Sequence, residues 1–474
     1  MISIKIIFGL IKSFDLIEDD LVALAVLLNS KEEISDKLSC INLIALIYPN
    51  LTKENNKNQC YPLLKEFTHS QYQMLKIELS SSLKIFASSL TLQQLDGFVS
   101  SFLEEKNDQI RIYIMEALVS LKNNTTNQSS LSVYNDLLYK VITKLSSDES
   151  WRVRLTLADK INELLSLSSI DDKVQNALID SFAKLIVDNE EEVRNVCCTK
   201  LELVAEILNK NDKINKILSQ LKQIEKDKTQ FVRASLASNL LRICPLIGQE
   251  KTNEYLFPIF LNMIKDESHD IRMALIKTLV QLHEVVNIDS FVNGIIPSLI
   301  EISNNPNWRI RNQISETIPV LARILNKKIF MDSILCICVK WLTDPVYAIR
   351  ESACKLMKKL YDMFKGEEFE KKLLEKLNEM KSSDSYLIRN TVTFLVKEFA
   401  GDAYNYDFVE RKLLPYITKM SKDRSANIRM NCAAILKKMS KVSKSKEIVK
   451  EVNGVLEELK RDRDTEVIYA INDN

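Results

Sequence analysis

The stretch Trp341-Leu342-Thr343-Asp344-Pro345-Val346-Tyr347-Ala348-Ile349-Arg350-Glu351 decides the fold, because its pattern returns along most of the chain. It places an Asp six residues before an Arg, with a β-branched residue immediately before that Arg. The Arg members are Arg111, Arg154, Arg194, Arg233, Arg272, Arg311, Arg350, Arg389 and Arg429, and successive spacings are 43, 40, 39, 39, 39, 39, 39 and 40. The register continues at Ile468. The partners six residues upstream are Asp148, Asp188, Asp227, Asp266, Asn305, Asp344, Asp423 and Asp462. One repeat is irregular, with Ser383 in that place and Asp384 beside it. The long first interval contains Asn123 to Ser130, a polar stretch read as a loop that absorbs the extra residues.

Alignment on the Arg turns the chain into columns. The residue before it is Ile110, Val153, Val193, Val232, Ile271, Ile310, Ile349, Ile388, Ile428 or Val467, a β-branched series that burial demands. Seven after it stand Leu118, Ile161, Leu201, Leu240, Leu279, Ile318, Met357, Val396 and Leu436. Small residues such as Ala158, Cys198, Ala237, Cys354 and Ala433 dominate four after it, where neighbouring helices would approach closely. These positions share one face of an amphipathic helix. A second helix precedes each Asp, as in Leu256-Phe257-Pro258-Ile259-Phe260-Leu261-Asn262-Met263-Ile264. Pro62, Pro258, Pro297 and Pro415 recur at one place in it, requiring a kink or a first turn.

Each unit of about 39 residues is thus a pair of antiparallel helices, close to the length of HEAT and armadillo units. One pair cannot bury its own apolar face, so the fold expected is all-α, a HEAT-repeat α-solenoid of about twelve pairs stacked into a curved superhelix over residues 1–474. Composition agrees. Only 7 Gly and 9 Pro occur in 474 residues, too few for collagen, low-complexity disorder or a Gly-turned β-sandwich.

The Arg and Asp columns are read as a structural ladder tying the turns together: Asp148, Arg154, Asp188, Arg194, Asp227, Arg233, Asp266, Arg272, Asp344, Arg350, Asp423 and Arg429. Each guanidinium is expected to bond Asp side chains of its own and adjacent repeats. The column three before the Arg carries Asp108, Trp151, Glu191, Gln230, His269, Trp308, Tyr347, Tyr386, Ala426 and Thr465. Burial would not tolerate those charges, so this ridge of turns faces solvent. Aromatics at three consecutive repeats, Trp308, Tyr347 and Tyr386, then mark a protein-binding edge.

Charge and chemistry narrow the function classes. The 65 Lys+Arg balance 64 Asp+Glu, which removes the basic footprint of non-specific nucleic-acid binding. No run of 18 or more apolar residues is present, so no membrane partner is expected, and the apolar Met1–Ile11 reads as a helix that packs. Three scattered histidines, His69, His269 and His283, and no Gly-rich loop give no nucleophile, metal set or phosphate cradle. The chain is expected to be no enzyme, with no cofactor and no metal. Nine cysteines without a C-x-x-C suggest a reducing cytoplasmic compartment, or a nuclear one as well, and glycosylation at Asn50, Asn124 or Asn127 is not expected.

Several segments in order resemble one family, the scaffolding (A, 65 kDa regulatory) subunits of protein phosphatase 2A. They are Ser150-Trp151-Arg152-Val153-Arg154 with Ala158-Asp159-Lys160, then Pro245-Leu246-Ile247-Gly248, Leu256 to Leu261, Asn307-Trp308-Arg309-Ile310-Arg311, and the opening stretch Trp341 to Glu351. The resemblance runs from roughly residue 35 to the end. It implies a non-catalytic HEAT-repeat scaffold whose earlier repeats, 1–290, hold a regulatory B-type subunit, while its C-terminal repeats, 291–474, hold the phosphatase catalytic subunit. Carried over by position, the catalytic-subunit surface comprises Trp308, Arg309, Val346, Tyr347, Tyr386 and Asn427. The regulatory-subunit surface includes Ser150, Trp151 and Arg152. The chain begins about three repeats later than the family and has Lys76-Ile77 where the family carries an Arg pair. A nuclear-transport adaptor is the alternative, but a Trp-x-x-x-Asn ladder fails: Trp308 has Asn312, whereas Trp151 has Leu155 and Trp341 has Pro345. The basic run Lys437 to Lys450 and the acidic Glu190-Glu191-Glu192 read as solvated turns.

Overall fold

The computed structural model describes residues 18–121, 128–167, 170–208, 213–277, 282, 285–286, 288–401 and 406–472. Met1–Ile11, Asn124, Asn127, Leu279 and His283 lie outside them. All regular structure among the described residues is helical, in twelve successive pairs. The molecule forms two units, Met1–Phe260 and Leu261–Asn474. The first unit holds six full pairs, from Glu18–Ser30 with Ile34–Ile47 to Asn215–Ile224 with Gln230–Lys251. The second holds five, from Ile288–Ser303 with Trp308–Ile324 to Lys446–Leu459 with Thr465–Asn472. Within each unit this is an α-solenoid, the architecture expected from the columns.

Period explains the packing. The β-branched column is buried at Ile110, Val153, Val193, Val232, Ile271, Ile349, Ile428 and Val467. Ile310 and Ile388 are half-buried instead. Every described member of the column seven after the Arg is buried. Second helices stack on second helices, Asp108–Ser120 on Trp151–Leu165 and that on Glu191–Leu208, with the same order from Trp308–Ile324 to Thr465–Asn472. Each fully buried Leu, Ile or Val contributes about 1.5–3 kcal/mol, so these columns, together with the buried faces of the first helices, hold the stack. Small residues let the helices approach. Ala158, Cys198, Ala237, Cys354, Thr393 and Ala433 are all buried, while Ser315 is half-buried. Burial pushes the Cys198 thiol up to about 12, which leaves it protonated and unreactive at neutral pH.

Two of the four recurring prolines fall in a first turn, as the spacing predicts. Pro258 and Pro415 each stand two residues after a π-turn, Thr252–Leu256 and Val409–Leu413, where a widened turn accommodates a residue with no N–H to donate. Pro62 and Pro297 sit inside longer helices. Gln128–Leu145 is one helix, so the expected loop is shorter at its end: Gln128, Ser129 and Ser130 are helical.

Gly248 breaks the helix that starts at Gln230, with φ 81° and ψ 173°, a conformation essentially reserved to glycine. A Cβ there would meet nothing within 4 Å, so the cost of adding one is backbone strain alone. Gly248→Ala is expected to destabilise the first unit by about 1–3 kcal/mol. Denaturant unfolding of the variant checks this, and a loss below about 0.5 kcal/mol would show that the turn relaxes freely.

Candidate functional site

In seven of the twelve helix pairs an Asp builds the turn. In Asp148 one carboxylate oxygen, Oδ1, accepts the amide of Ser150 at 2.8 Å, and the same bond to the residue two on is made by Asp188, Asp227, Asp266, Asp344, Asp423 and Asp462. That ring of side chain and backbone starts the helices at Trp151, Gln230, Tyr347 and Ala426 without a side-chain N-cap. The carbonyl of every one of these Asp residues but Asp462, which has Ile468 six residues on, then accepts Nη1 of the Arg at that place, at 2.8 Å for Arg154.

The Arg also reaches forward, to the carboxylate of the next pair. Arg154 donates Nε and Nη2 to Asp188 at 2.7 and 2.8 Å, and Arg311 does so to Asp344 at 3.0 and 2.9 Å. Arg111–Asp148, Arg194–Asp227, Arg389–Asp423 and Arg429–Asp462 repeat the two-pronged geometry. Own-repeat contact was expected through the Asp side chain and is made through its carbonyl, because both carboxylate oxygens are already engaged. Arg233 bonds the Asp227 carbonyl at 2.8 Å.

Two rungs differ from the expectation. Arg272 bonds Gln313 Oε1 at 3.1 Å and the Asp266 carbonyl, since Asn305 replaces the next acid. Arg350 bonds Thr391 Oγ1 at 3.1 Å and the Asp344 carbonyl at 2.8 Å. A further rung lies outside the Asp/Asn pattern: Lys76 Nζ meets Glu105 at 2.6 Å, both side chains mostly covered, and Glu105 stands six before Arg111. Allowing Lys for Arg and Glu for Asp would have found it. A second polar ladder runs one residue after the Arg column: Asn195, Asn312 and Asn390 accept from Ser235, Ser352 and Asn431 of the following pair at 2.5, 2.7 and 2.9 Å.

The ladder titrates in a predictable direction. Burial alone would raise Asp188, Asp227 and Asp423, but the bonds from Arg154, Arg194 and Arg389 and from the turn amides outweigh it and hold all three below 3.8. The bond from Arg429 lowers Asp462 directly. A carboxylate lowered on folding adds stability that is complete above its unfolded value and is lost as pH falls through the folded one. The helical signal is therefore expected to hold flat from neutral pH down to about 5 and to collapse below the ordinary value of 3.8. Acid titration by circular dichroism tests it; a midpoint above pH 5 would contradict the ladder as the acid-sensitive element.

The ridge above this ladder carries the candidate binding residues. No member of the column three before the Arg is buried. Trp151 and Trp308 are half-buried, and the guanidinium of the next residue lies over each ring, Arg152 at 5.7 Å and Arg309 at 4.9 Å. Tyr347 is 51% exposed and Tyr386 47%. Tyr347 meets Phe394 edge-on at 5.8 Å. Arg152, Arg309 and Asn427 are exposed, while Val346 and Ser150 are half-buried. Ser150 donates its hydroxyl to Asp108 on the preceding turn at 2.9 Å. Cation–aromatic pairs on exposed turns suit a protein partner, since each presents apolar area and charge together. Among the described residues no group of three or more His, Cys, Asp or Glu could hold a metal ion, and no helix is long and apolar enough to cross a membrane.

Residues 65–396 match the sequence profile of the family described as PIK3R4-like, middle domain. The resemblance to the phosphatase 2A scaffold is found over a shorter span than the segments suggested. It covers 90 residues, 36% identical to the beta isoform of the 65 kDa regulatory A-type subunit of human serine/threonine-protein phosphatase 2A, or 18% of this chain and 15% of that one. Among solved structures, a chain of a Kap95:Nup1 complex matches at a TM-score of 0.55 and 12% identity, covering 98% of this chain and 64% of its own. An importin beta structure from a polyethylene glycol condition matches at 0.57 and 10%, over 96% and 64%. At such identities the likeness is one of fold, and the chain spans less than two thirds of these relatives.

Proposed function

The chain belongs to the family described as PIK3R4-like, middle domain, and we propose, on the ridge of its turns and its partial likeness to a phosphatase 2A regulatory subunit, that its helical-repeat scaffold assembles a protein phosphatase 2A-type complex. Residues 291–474 hold the catalytic subunit, on Trp308, Arg309, Val346, Tyr347, Tyr386 and Asn427. Residues 1–290 hold a regulatory B-type subunit, with Ser150, Trp151 and Arg152 in its surface. The complex works in the cytoplasm or in the nucleus as well, and the chain itself does no chemistry.

One observation carries this reading: the solvent-facing ridge with aromatic side chains on three successive turns, Trp308 with Arg309 over it, Tyr347 and Tyr386, fixed by a buried ladder beneath it. Rigid turns present those side chains at set intervals, so a partner meets them without an ordering cost. The likeness to the human regulatory subunit supports the choice of partner. Because the family match is much longer than that likeness, a second reading gives the same ridge to a different protein partner.

Affinity purification of the tagged chain, with identification of what co-elutes, separates the two. A phosphatase catalytic subunit is expected as the leading partner, and phosphatase activity should leave with it when it is stripped off. An eluate led by other proteins and lacking every phosphatase subunit would overturn the first reading in favour of the second.

A further inference from the structure

The ladder of the second unit has an open rung that one side chain could close. Thirty-three residues after Arg311 and after Arg429 stand their acceptors, Asp344 and Asp462. The same count from Arg350 reaches Ser383. Ser383 already fills the rest of the Asp role. Its carbonyl accepts Arg389 Nη1 at 2.9 Å, and its hydroxyl accepts the amide of Ser385 at 3.3 Å, the bond that Oδ1 makes elsewhere. A carboxylate has two oxygens and can hold its own turn while reaching back to the preceding Arg. A hydroxyl has one.

Arg350 shows the consequence. It is 3% exposed, and its partners are neutral: Thr391 Oγ1 and the carbonyls of Asp344 and Pro345, at 3.1, 2.8 and 3.0 Å. A buried cation without a counter-ion is costly, and an anion placed beside it is strongly favoured. Asn305 leaves a similar gap at Arg272, but its amide has no hydroxyl to phosphorylate. Ser383 does, and it sits half-buried on the solvent edge among exposed Ser382, Asp384 and Ser385.

We propose that Ser383 is a phosphorylation site whose phosphate supplies the missing rung to Arg350. On a protein kinase, Ser383 Oγ attacks the γ-phosphorus of a nucleoside triphosphate, and a new O–P bond forms as the bond to the β-bridging oxygen breaks. The nucleoside diphosphate leaves, and the hydroxyl proton passes to the kinase's base. The product carries close to two negative charges and three acceptor oxygens, enough to keep the Ser385 amide and to meet Arg350 in two-pronged fashion. The rung lies between the turns of Tyr347 and Tyr386, and the Arg350 guanidinium stands 5.8 Å from the Tyr347 ring centroid. Modification therefore stiffens the spacing of two exposed aromatics, whatever partner they meet.

Two measurements test this on the full chain. Mass spectrometry of the protein isolated from its own cells under phosphatase inhibition should find phosphate on Ser383. Ser383→Asp, which installs the residue of the regular rungs, should slow amide exchange across residues 344–399 about tenfold, the factor expected of one charge-assisted bond. Ser383→Ala should not slow it, and in an Arg350→Gln background the Asp effect should vanish. Absence of phosphate on Ser383, phosphate confined to Ser382 or Ser385, or equal slowing with and without Arg350 would each overturn the proposal.

Discussion

Asp423→Ala is expected to cost about 3–5 kcal/mol, because it strands a buried guanidinium. Arg389 and Asp423 expose only 6% and 9% of their side chains and meet through bonds of 2.7 and 3.1 Å. The pair itself need not be worth that much, since desolvating both charges consumes most of their attraction. Removing one partner leaves the cost and takes away the return. The same substitution releases the Ser425 amide, held by Asp423 at 2.9 Å, so the turn loses its brace. Asp423→Asn keeps an oxygen for that amide and a neutral acceptor for Arg389, and should cost about 1–2 kcal/mol. Because solenoid repeats couple to neighbours, the loss should show first as faster amide exchange over residues 386–442, before the rest of the second unit loosens. Equal costs for Ala and Asn, or a loss below about 1 kcal/mol, would mean that charge does not hold the turns together.

Much of this was legible in the columns. A residue recurring every 39 or 40 positions samples one environment many times, so Val193 and Ile349 could be read as buried and Tyr347 as exposed without any coordinate. The ladder's acids and bases were legible for the same reason, and so was the solvent-facing ridge. What escaped were substitutions that keep a role while changing chemistry. Lys76 with Glu105 makes a rung from different residues, and Gln313 and Thr391 act as neutral acceptors from the following helix. Neither lies at the ladder spacing, because an Arg without its carboxylate turns to whichever oxygen the next helix offers. The path of the own-repeat contact was equally invisible, since a carbonyl carries no sequence signal.

Trp308→Ala and Trp151→Ala address whether the ridge is a binding edge with two occupants. Both rings are half-buried and each is overlaid by an exposed Arg, so neither belongs to the packed core. A core tryptophan truncated to Ala would cost about 3–5 kcal/mol of stability. Here much less is expected, about 1 kcal/mol, the share of a cation–aromatic contact and partly covered surface. Binding should suffer far more. An aromatic anchor in a partner interface is worth about 2 kcal/mol or more, roughly thirtyfold in affinity. On the proposed division, Trp308→Ala releases the phosphatase catalytic subunit, and Trp151→Ala releases a regulatory subunit while the catalytic subunit stays bound. Arg309→Ala should weaken the first partner too, since the indole then loses the guanidinium that lies over it. Pull-downs read beside melting curves separate the outcomes. Equal loss of both partners from either variant would sink the two-surface arrangement, and a fall in melting temperature as large as that of Asp423→Ala would return both tryptophans to the core.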